Sequence, residues 1–532
     1  MKRRPRRGRA GAGAVAALGL AIAALAALPF FLVAVPPLSQ HYDNLARMAI
    51  LADPGAPFIR QFFVVRWSLI PDLAMDLAVP RLVPPLSVEV AAKLFILAAL
   101  LLMFSGTVAL HRAIHRAWSP WPLLSGLFLY SWVLVLGWAN ELFATGLMLW
   151  GLALWVALAE RPAALRAAAG AAFALAIYLS HLFPLGVFAI AIAALEFAAW
   201  RAGMRDWRSL ALRAATAAAP FILPAALLLA SSTAGHAGET QYWWSRKLVH
   251  LVPLLMIGNP VTDWLLIASL ALCGVLALWR RWLFVPPPWR LVLAALGLAY
   301  LLIPWRILGS YSAELRLAFT ALFIAVAATR LARREADLQA GAALLLALVF
   351  LVRIGGVVQD WRAGARTIEA WRAGFALLKP GAVLFAYAAD NRNPYPYQRP
   401  SYWNPPLTKA VSLATLAHPI LVPKTYLVRG HQPVYYAPAV APLHRLQQAQ
   451  PETVASRGDF LAWLARLERQ CPALPSLVTA IDVAIRDAEG RLLPPPPGAR
   501  LVYRAAGLSL IEIDDWAKGS PGAGCDAAGA RE

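Results

Sequence analysis

Long apolar runs alternate with short basic segments along the first two thirds of the chain. Apolar runs of about 18–22 residues are long enough for a helix to cross roughly 30 Å of bilayer hydrocarbon. The pattern predicts about eleven transmembrane helices, at 11–35, 91–110, 121–138, 142–159, 167–183, 184–200, 214–231, 263–279, 289–304, 315–329 and 338–357. The runs 167–183 and 184–200 could be two separate spans, or Pro184 could simply kink one hairpin. We therefore expect an all-α polytopic membrane protein.

The basic segments between these runs predict an orientation. If the N-terminus is cytoplasmic, the basic loops all face the cytoplasm, at 111–116, 161–166, 201–213, 280–290 and 330–334. This distribution obeys the positive-inside rule. An odd number of spans then places everything after residue 357 outside. The predicted outer loops are 36–89, 138–141, 180–183, 232–262 and 305–314.

The last part of the chain has a different pattern, with no apolar run of 18 residues and with frequent Pro, Tyr, Gln and Asp. Trp361, Ile368 and Trp371 share a helical spacing, and Pro380–Gly381 ends that helix. AVLFAYA and ALPSLVTAIDVAI predict strands, and RLVYRAAGLSLIEID predicts two strands around a glycine turn. We expect three parts: a basic cytoplasmic N-terminus (1–10), a transmembrane domain (11–357) with a large first outer loop (36–89), and a periplasmic soluble α/β or α+β domain (358–532).

Composition supports the membrane class. Of the 532 residues, 60% are hydrophobic and 14% charged, against roughly 25% charged in soluble domains. The net charge of +21 comes from 49 Lys+Arg and 28 Asp+Glu. Because much of this excess lies in short loops between apolar runs, orientation accounts for it and nucleic acid is excluded as a partner. The N-terminal run resembles a signal peptide but continues to Val35, so we expect a retained first helix.

The three cysteines and the absent motifs narrow the function classes. Cys273 lies in an apolar run and is expected to pack there. Cys471 and Cys525 lie in the last domain, where they could pair if that domain is exported. The chain contains no Walker-type loop, CxxC, HExxH or GxSxG. ATP-driven transport, a zinc protease and a serine hydrolase are therefore not supported.

The first outer loop begins with PPLSQHYDNLARMAILAD, which carries Asp43 close to the end of the first span. Asp43 could act as a general base or orient an acceptor. It could equally be the N-cap of a short amphipathic helix that lies in the membrane interface and stops at Pro54. Arg47 on that helix could hold a phosphate, or its charged end could extend towards water.

Further along the same loop, Asp72 and Asp76 are four residues apart. A helix starting after Pro71 would place both carboxylates on one face. Such a pair could bind a divalent cation or share acid–base work. The alternative is that Asp72 starts the helix and Asp76 faces water. No other cofactor is implied.

Ionisable residues recur at the predicted outer helix ends: Asn140–Glu141, His181, Glu314 and Arg316. A single such residue is usually only interfacial, but several on one side indicate a functional face, because charges near a bilayer are costly. The outer loop 232–262 adds QYWWSRK between His236 and His250. Its rings and cations suit a sugar phosphate, and they equally suit an aromatic belt.

The layout resembles the GT-C type of polytopic glycosyltransferase that uses lipid-phosphate sugars, specifically the mannosyltransferase-like bacterial membrane proteins. The resemblance covers roughly residues 10–360. It rests on PPLSQHYDNLARM and on W-x-x-x-P-x-L-A-M-D at Trp67–Asp76. In these relatives the acidic residue follows the Pro-Leu turn directly. Here Gln40 holds that place and Asp43 comes three residues later, so either the base has moved by one helical turn or transfer has been lost.

The resemblance implies an inverting transfer at the outer face of a bacterial inner membrane. A polyprenyl-phosphate sugar donor enters from the bilayer, and the acceptor is a periplasmic glycan or a lipid. Asp43 would be the base, and Arg316, together with Arg306, would hold the phosphate. His181 and Glu314 would line the site.

Two other function classes fit the same layout. A transporter or flippase for lipid-linked glycans would use a similar amphipathic cavity without a base. A non-catalytic assembly factor of the cell envelope would bind a partner through the last domain. A polymerase or ligase of surface polysaccharide is a further alternative.

Overall fold

The computed structural model describes residues 7–203, 206–233, 240–307, 310–332, 335–387, 409–427, 431–438, 440–448, 477–481, 499–505 and 508–513. The helices are α1 Arg7–Leu32, α2 His41–Ala52, α3 Pro57–Phe62, α4 Ala74–Ala78, α5 Val88–His115, α6 Trp132–Val135, α7 Ala139–Ala157, α8 Ala163–Ser180, α9 Leu182–Ala202, α10 Trp207–Ala218, α11 Ile222–Ala230, α12 Lys247–His250, α13 Pro260–Trp279, α14 Pro287–Leu302, α15 Ala313–Ala328, α16 Ala336–Phe375, α17 Ala414–Ala417 and α18 Ala441–Gln448. Short 3-10 helices occupy Pro80–Leu82, Trp121–Phe128, Ala219–Phe221, Trp244–Arg246, Pro253–Leu255 and Ala410–Leu413. The strands are β1 Phe63–Val65, β2 Leu283–Phe284, β3 Arg330–Leu331, β4 Val383–Tyr387, β5 Val434–Tyr436, β6 Leu477–Ile481, β7 Ala499–Ala505 and β8 Leu508–Ile513.

The apolar helices agree with the predicted spans. Within the described residues, eight are long and apolar enough to cross a membrane: Ala12–Leu32, Val88–His115, Ala139–Ala157, Ala163–Ser180, Leu182–Ala202, Trp207–Ala230, Pro260–Trp279 and Ala336–Phe375. Trp121–Val135 and Pro287–Leu302 are shorter apolar segments, and α15 has 16 residues. Each predicted run therefore coincides with a helical segment, which confirms the polytopic fold class.

The chain forms two compact units. The first consists of Met1–Leu32, Ser68–Ala78 and Lys93–Asp360. The second consists of Val33–Trp67, Val79–Ala92 and Trp361–Glu532. Most of the first outer loop thus belongs to the same unit as the C-terminal region.

Close helix packing characterises the first unit. A Cβ atom on Gly146 of α7 would lie 2.8 Å from Leu102 Cγ and 2.9 Å from the backbone nitrogen of Met103 in α5. Small residues that let backbones approach are typical of helix interfaces in membranes. The turn at His181 is a true break between two helices, because its backbone is extended, with φ of −169°. Pro184 lies in the first turn of α9, where proline is tolerated.

The second unit contains the predicted strands and two further strands. β4, β6, β8 and β7 form a four-stranded sheet in that order. The β4–β6 pair is parallel and the other two pairs are antiparallel. β1 of the first loop pairs antiparallel with β5, with Phe63 opposite Tyr436. These pairings confirm the strands predicted at 382–388, 473–485 and 500–514.

One continuous helix, α16, replaces the two separate helices that the sequence predicts in this region. This helix runs for 40 residues and contains both the last predicted span and the helix predicted around Trp361 and Trp371. The hydropathy pattern stops near residue 357 because the following residues are polar, although Ala, Arg and Glu continue to favour helix. Gly381, with φ of +85°, follows the helix end.

Candidate functional site

Three ionisable residues predicted from helix ends meet in the first unit. Arg316 is the fourth residue of α15, Glu141 is the third residue of α7, and His181 separates α8 from α9. Arg316 Nη1 donates to Glu141 Oε2 at 2.5 Å and lies 3.2 Å from His181 Nε2. We call Glu141, His181, Arg316 and the adjacent Trp138 the arginine cluster.

The arginine cluster is removed from water. Glu141 is fully buried, and the Arg316 side chain is 8% exposed. The Arg316 guanidinium lies 3.3 Å from the centroid of the Trp138 ring and 5.3 Å from that of Phe183. Breaking a buried ion pair of this kind by removing one partner costs about 3–5 kcal/mol. The cluster therefore holds a fixed positive group in a low-dielectric environment, where its attraction for an anion is strong.

His181 enters this cluster as a neutral ring. Its Nδ1 accepts from the backbone N–H of Phe183 at 3.3 Å, and its Nε2 faces Arg316. Burial, followed by the charge of Arg316, lowers the pKa of His181 well below its ordinary value of 6.5, so the ring is neutral. The ring therefore adds no second positive charge beside the guanidinium.

Glu314 and Arg306 lie near the N-terminal end of α15, the helix that carries Arg316. Glu314 is fully buried in the first turn of α15. Lys247 donates to the carbonyl oxygens of Tyr300 and Ile303 at 2.9 and 2.6 Å. Burial lowers the pKa of Lys247, and the carboxylate of Glu314 opposes this change. These contacts place a second cation beside Glu314.

Arg306 carries a guanidinium whose centre lies 4.6 Å from the centroid of the Tyr311 ring. Its Nε is buried and has no hydrogen-bond partner among the described residues. Nearby aromatic side chains stack in pairs: Tyr242 with Trp244 at 5.5 Å, and Trp243 with Trp305 at 4.8 Å. The predicted mixture of rings and cations is therefore present, with Arg306 able to bind a further acceptor.

The predicted pairing of Asp72 and Asp76 on one helical face is wrong. Asp72 has φ of +73° and precedes α4, which contains Asp76 and starts only at Ala74. The side chain of Asn140 stabilises this turn: its Nδ2 donates to Asp72 O at 2.7 Å, and its Oδ1 accepts from Met75 N at 2.8 Å. A helix cannot pass through a left-handed residue, so the two carboxylates are not related by one helical turn.

The second carboxylate of that segment, Asp76, is buried within the first unit. The described ranges bring together no group of three or more His, Cys, Asp or Glu residues that could hold a metal ion.

Asp43 is at the centre of a separate polar cluster in the second unit. It is fully buried in the first turn of α2. Ser412 Oγ donates to its Oδ1 at 2.7 Å, and Lys409 Nζ lies 3.1 Å from its Oδ2. Thr425 Oγ1 in turn donates to Ser412 Oγ at 3.2 Å. We call these four residues the aspartate cluster.

The helix that carries Asp43 differs from the predicted interfacial helix. Gln40 is its N-cap, without a side-chain hydrogen bond, so the alternative that Asp43 caps the helix is wrong. Ten of its 12 residues are buried. Arg47 is 2% exposed, and its Nη1 donates to the amide oxygen of Gln432 at 3.0 Å. Arg47 therefore does not extend to water, because protein partners bind its charged end.

Some functional residues carry no recognisable signal in the sequence. Lys409, Ser412 and Thr425 lie in a segment without periodicity, far along the chain from Asp43. Trp138 has the appearance of an interfacial aromatic residue. The predicted roles of His236, Cys471 and Cys525 concern residues outside the described ranges. Cys273 is a free thiol, partly buried in α13, as its apolar surroundings predict.

The helices and the mixed sheet define a multi-pass α-helical membrane protein that also contains a small α/β unit. No family model matches the sequence, and no curated protein matches it. Among solved structures, the chain is similar to the crystal structure of ArnT from Cupriavidus metallidurans in the apo state. The two chains share 12% sequence identity with a TM-score of 0.47, over 95% of this chain and 99% of the other.

Proposed function

We propose that this protein transfers a sugar from a polyprenyl-phosphate donor to a periplasmic glycan or lipid acceptor, at the outer face of a bacterial inner membrane. The observation that carries the proposal is the arginine cluster. It holds a guanidinium that is 8% exposed, 3.3 Å from the centroid of an indole ring and beside the His181 imidazole. A phosphate oxygen next to this guanidinium gains a charge-assisted hydrogen bond.

The phosphate side of the reaction is assigned to Arg316, with Arg306 as a second cation. In the transfer, the bond between the anomeric carbon and the phosphate oxygen breaks, and polyprenyl phosphate leaves with the electron pair. The leaving group therefore gains negative charge. Fixed cations stabilise this charge most where water is excluded.

The acceptor side is assigned to Asp43. The hydroxyl or amine of the acceptor attacks the anomeric carbon from the face opposite the leaving phosphate, which inverts its configuration. The acceptor proton passes to the Asp43 carboxylate. A positioned general base contributes about 10²–10⁴-fold to such a step.

Binding of the phosphate is tested with polyprenyl phosphate alone, on protein in lipid nanodiscs, by native mass spectrometry. We expect Arg316→Gln to weaken binding at least tenfold, because a hydrogen bond to a charged group contributes about 1.5–3 kcal/mol. Arg280→Gln is the matched control, since Arg280 forms a half-exposed pair with Glu335. The double variant Glu141→Gln/Arg316→Gln removes the buried pair together, which separates binding from folding. Unchanged binding in the folded double variant contradicts the role of Arg316.

Transfer is tested with a radiolabelled polyprenyl-phosphate sugar and an envelope extract as acceptor. We expect Asp43→Asn to bind donor normally and to lose at least 10²-fold of the transfer rate. Full transfer by Asp43→Asn, with loss in Asp72→Asn or Asp76→Asn, would show that the base is misassigned. Donor binding without transfer by the wild-type protein under every acceptor condition would favour lipid-linked glycan transport.

A further inference from the structure

The aspartate cluster holds a carboxyl group that has no contact with water. Asp43 has no exposed surface, and its Oδ2 is itself buried. A buried charged group costs free energy unless it is paired and hydrogen-bonded. The position therefore needs compensation from its surroundings.

Lys409 supplies this compensation from the C-terminal region. Its ammonium lies 3.1 Å from Asp43 Oδ2, and its side chain keeps 20% exposure. Ser412 binds the other oxygen and is itself held by Thr425. The two oxygens of the carboxylate thus have different partners: a cation on one and a hydroxyl on the other.

Other titratable groups lie on α2 itself and on the elements packed against it. Tyr436 of β5 donates its hydroxyl to Val422 O and Thr425 O. Burial, followed by the charge of Asp43, raises the pKa of Tyr436 well above its usual value, so it stays neutral. His41 and Arg47 lie on the same helix as Asp43, and Arg81 lies in the adjacent 3-10 helix. Arg47 donates to Gln432.

We propose that Lys409 is a positioning residue for Asp43: its ammonium holds Oδ2 of the buried carboxylate at 3.1 Å, and the Ser412 hydroxyl holds Oδ1. This inference rests on the proposed function for its catalytic meaning. The geometry of the cluster does not depend on that function.

The first test separates kcat from KM for sugar transfer. Lys409→Met is expected to lower kcat about tenfold or more with little change in the KM for donor, because Asp43 Oδ2 loses its charged partner and such a hydrogen bond contributes about 1.5–3 kcal/mol. Lys409→Arg keeps a cation at this position and should restore most of kcat. An unchanged kcat in Lys409→Met, or no rescue by Lys409→Arg, would overturn the proposal.

Two further variants complete the kinetic experiment. Lys379→Met removes a lysine of the same unit that pairs with Glu512 and is 61% exposed. It should leave kcat and KM unchanged. Ser412→Ala should lower kcat less than Lys409→Met does, because it removes a neutral donor and not a charged one. A loss of kcat in Lys379→Met as large as that in Lys409→Met would contradict a specific role for Lys409.

The second test does not need transferase activity. Infrared difference spectra between the wild type and Asp43→Asn give the carboxylate stretching bands of Asp43, whose frequencies depend on the partners of its two oxygens. Lys409→Met should shift these bands, and Lys409→Arg should shift them less. Unshifted bands in Lys409→Met overturn the role of Lys409 even if transfer is confirmed. Shifted bands without any transfer leave the Lys409 assignment standing and count against the proposed function.

Discussion

At the residue scale, the arginine cluster shows how a buried guanidinium is held in place. Arg316 lies against an indole ring, a carboxylate and a neutral imidazole. The carboxylate offsets the desolvation of the guanidinium, and the ring excludes water from it. A group held in this way needs little reorganisation when an anion arrives.

His181 leads to a prediction about pH and stability. Its pKa is lower in the folded protein than its ordinary 6.5, so the unfolded chain binds the proton more readily. The contribution of neutral His181 to the free energy of unfolding is fully present above pH 6.5. It is lost as the pH falls towards the lower pKa of the folded state. The loss amounts to at most about 1.4 kcal/mol per pH unit.

The measurement is the melting temperature in one detergent between pH 8 and pH 5. His181→Asn should show a weaker decrease on acidification than the wild type, because Asn can still cap α9 but does not titrate. Phe183→Leu changes the neighbouring ring without removing a titratable group and should keep the wild-type pH dependence. Identical curves for His181→Asn and the wild type would refute the assignment.

The sequence could predict the site residues that lie at the ends of predicted transmembrane helices. Glu141, His181 and Arg316 occur at helix ends, and helix ends on one side of a bundle can meet. Ser412 lies 369 positions from Asp43, and no periodicity connects such distant residues. Asp72 was misplaced because a left-handed backbone at an Asp has no signature in the hydropathy pattern.

At the element scale, α2 shows how an amphipathic pattern can mislead. Its polar residues suggested a helix at the membrane surface, yet His41, Asp43 and Arg47 are all buried. The partners of Asp43 and Arg47 come from the C-terminal region, including the turn before β5, so the polar face is internal. Periodicity finds the two faces of a helix but not what covers them.

The packing of α5 against α7 leads to a second stability prediction. Gly146→Ala should lower the melting temperature, because its Cβ would meet Leu102 Cγ and the backbone of Met103 at under 3 Å. Overpacking of this kind costs about 1–3 kcal/mol. Gly186→Ala is the matched control, since a Cβ there meets nothing within 4 Å. It should leave the melting temperature unchanged or raise it slightly, because alanine favours helix. Equal effects of both substitutions would contradict the close approach.

At the scale of the whole molecule, the second unit is discontinuous in sequence. Residues of the first loop supply α2 and β1, and the C-terminal region supplies the partners of both. The sequence pattern could separate membrane from non-membrane segments, and it identified the strands. It could not show that two polar stretches far apart share one core, because hydropathy carries no information on pairing.

A fragment test follows from this organisation. Residues 361–532 expressed alone should lack a cooperative unfolding transition and should be rapidly cleaved by protease, because Tyr42, Leu45 and Met48 of α2 are fully buried in the intact protein. Linking residues 33–67 to the fragment through a flexible spacer should increase protease resistance. A stable, cooperative fragment without the loop would disprove this dependence and favour the assembly-factor alternative.

The discontinuity also determines when the second unit can fold during synthesis of the chain. Between Ala92 and Trp361 the ribosome must make the whole of Lys93–Asp360. At about 5–20 residues per second this takes on the order of 15–50 s. During that interval the early loop holds a carboxylate and a guanidinium, at Asp43 and Arg47, whose later partners do not yet exist. The loop must stay hydrated or be chaperoned until the last span is inserted, so the order of membrane insertion determines when the acidic centre can first form.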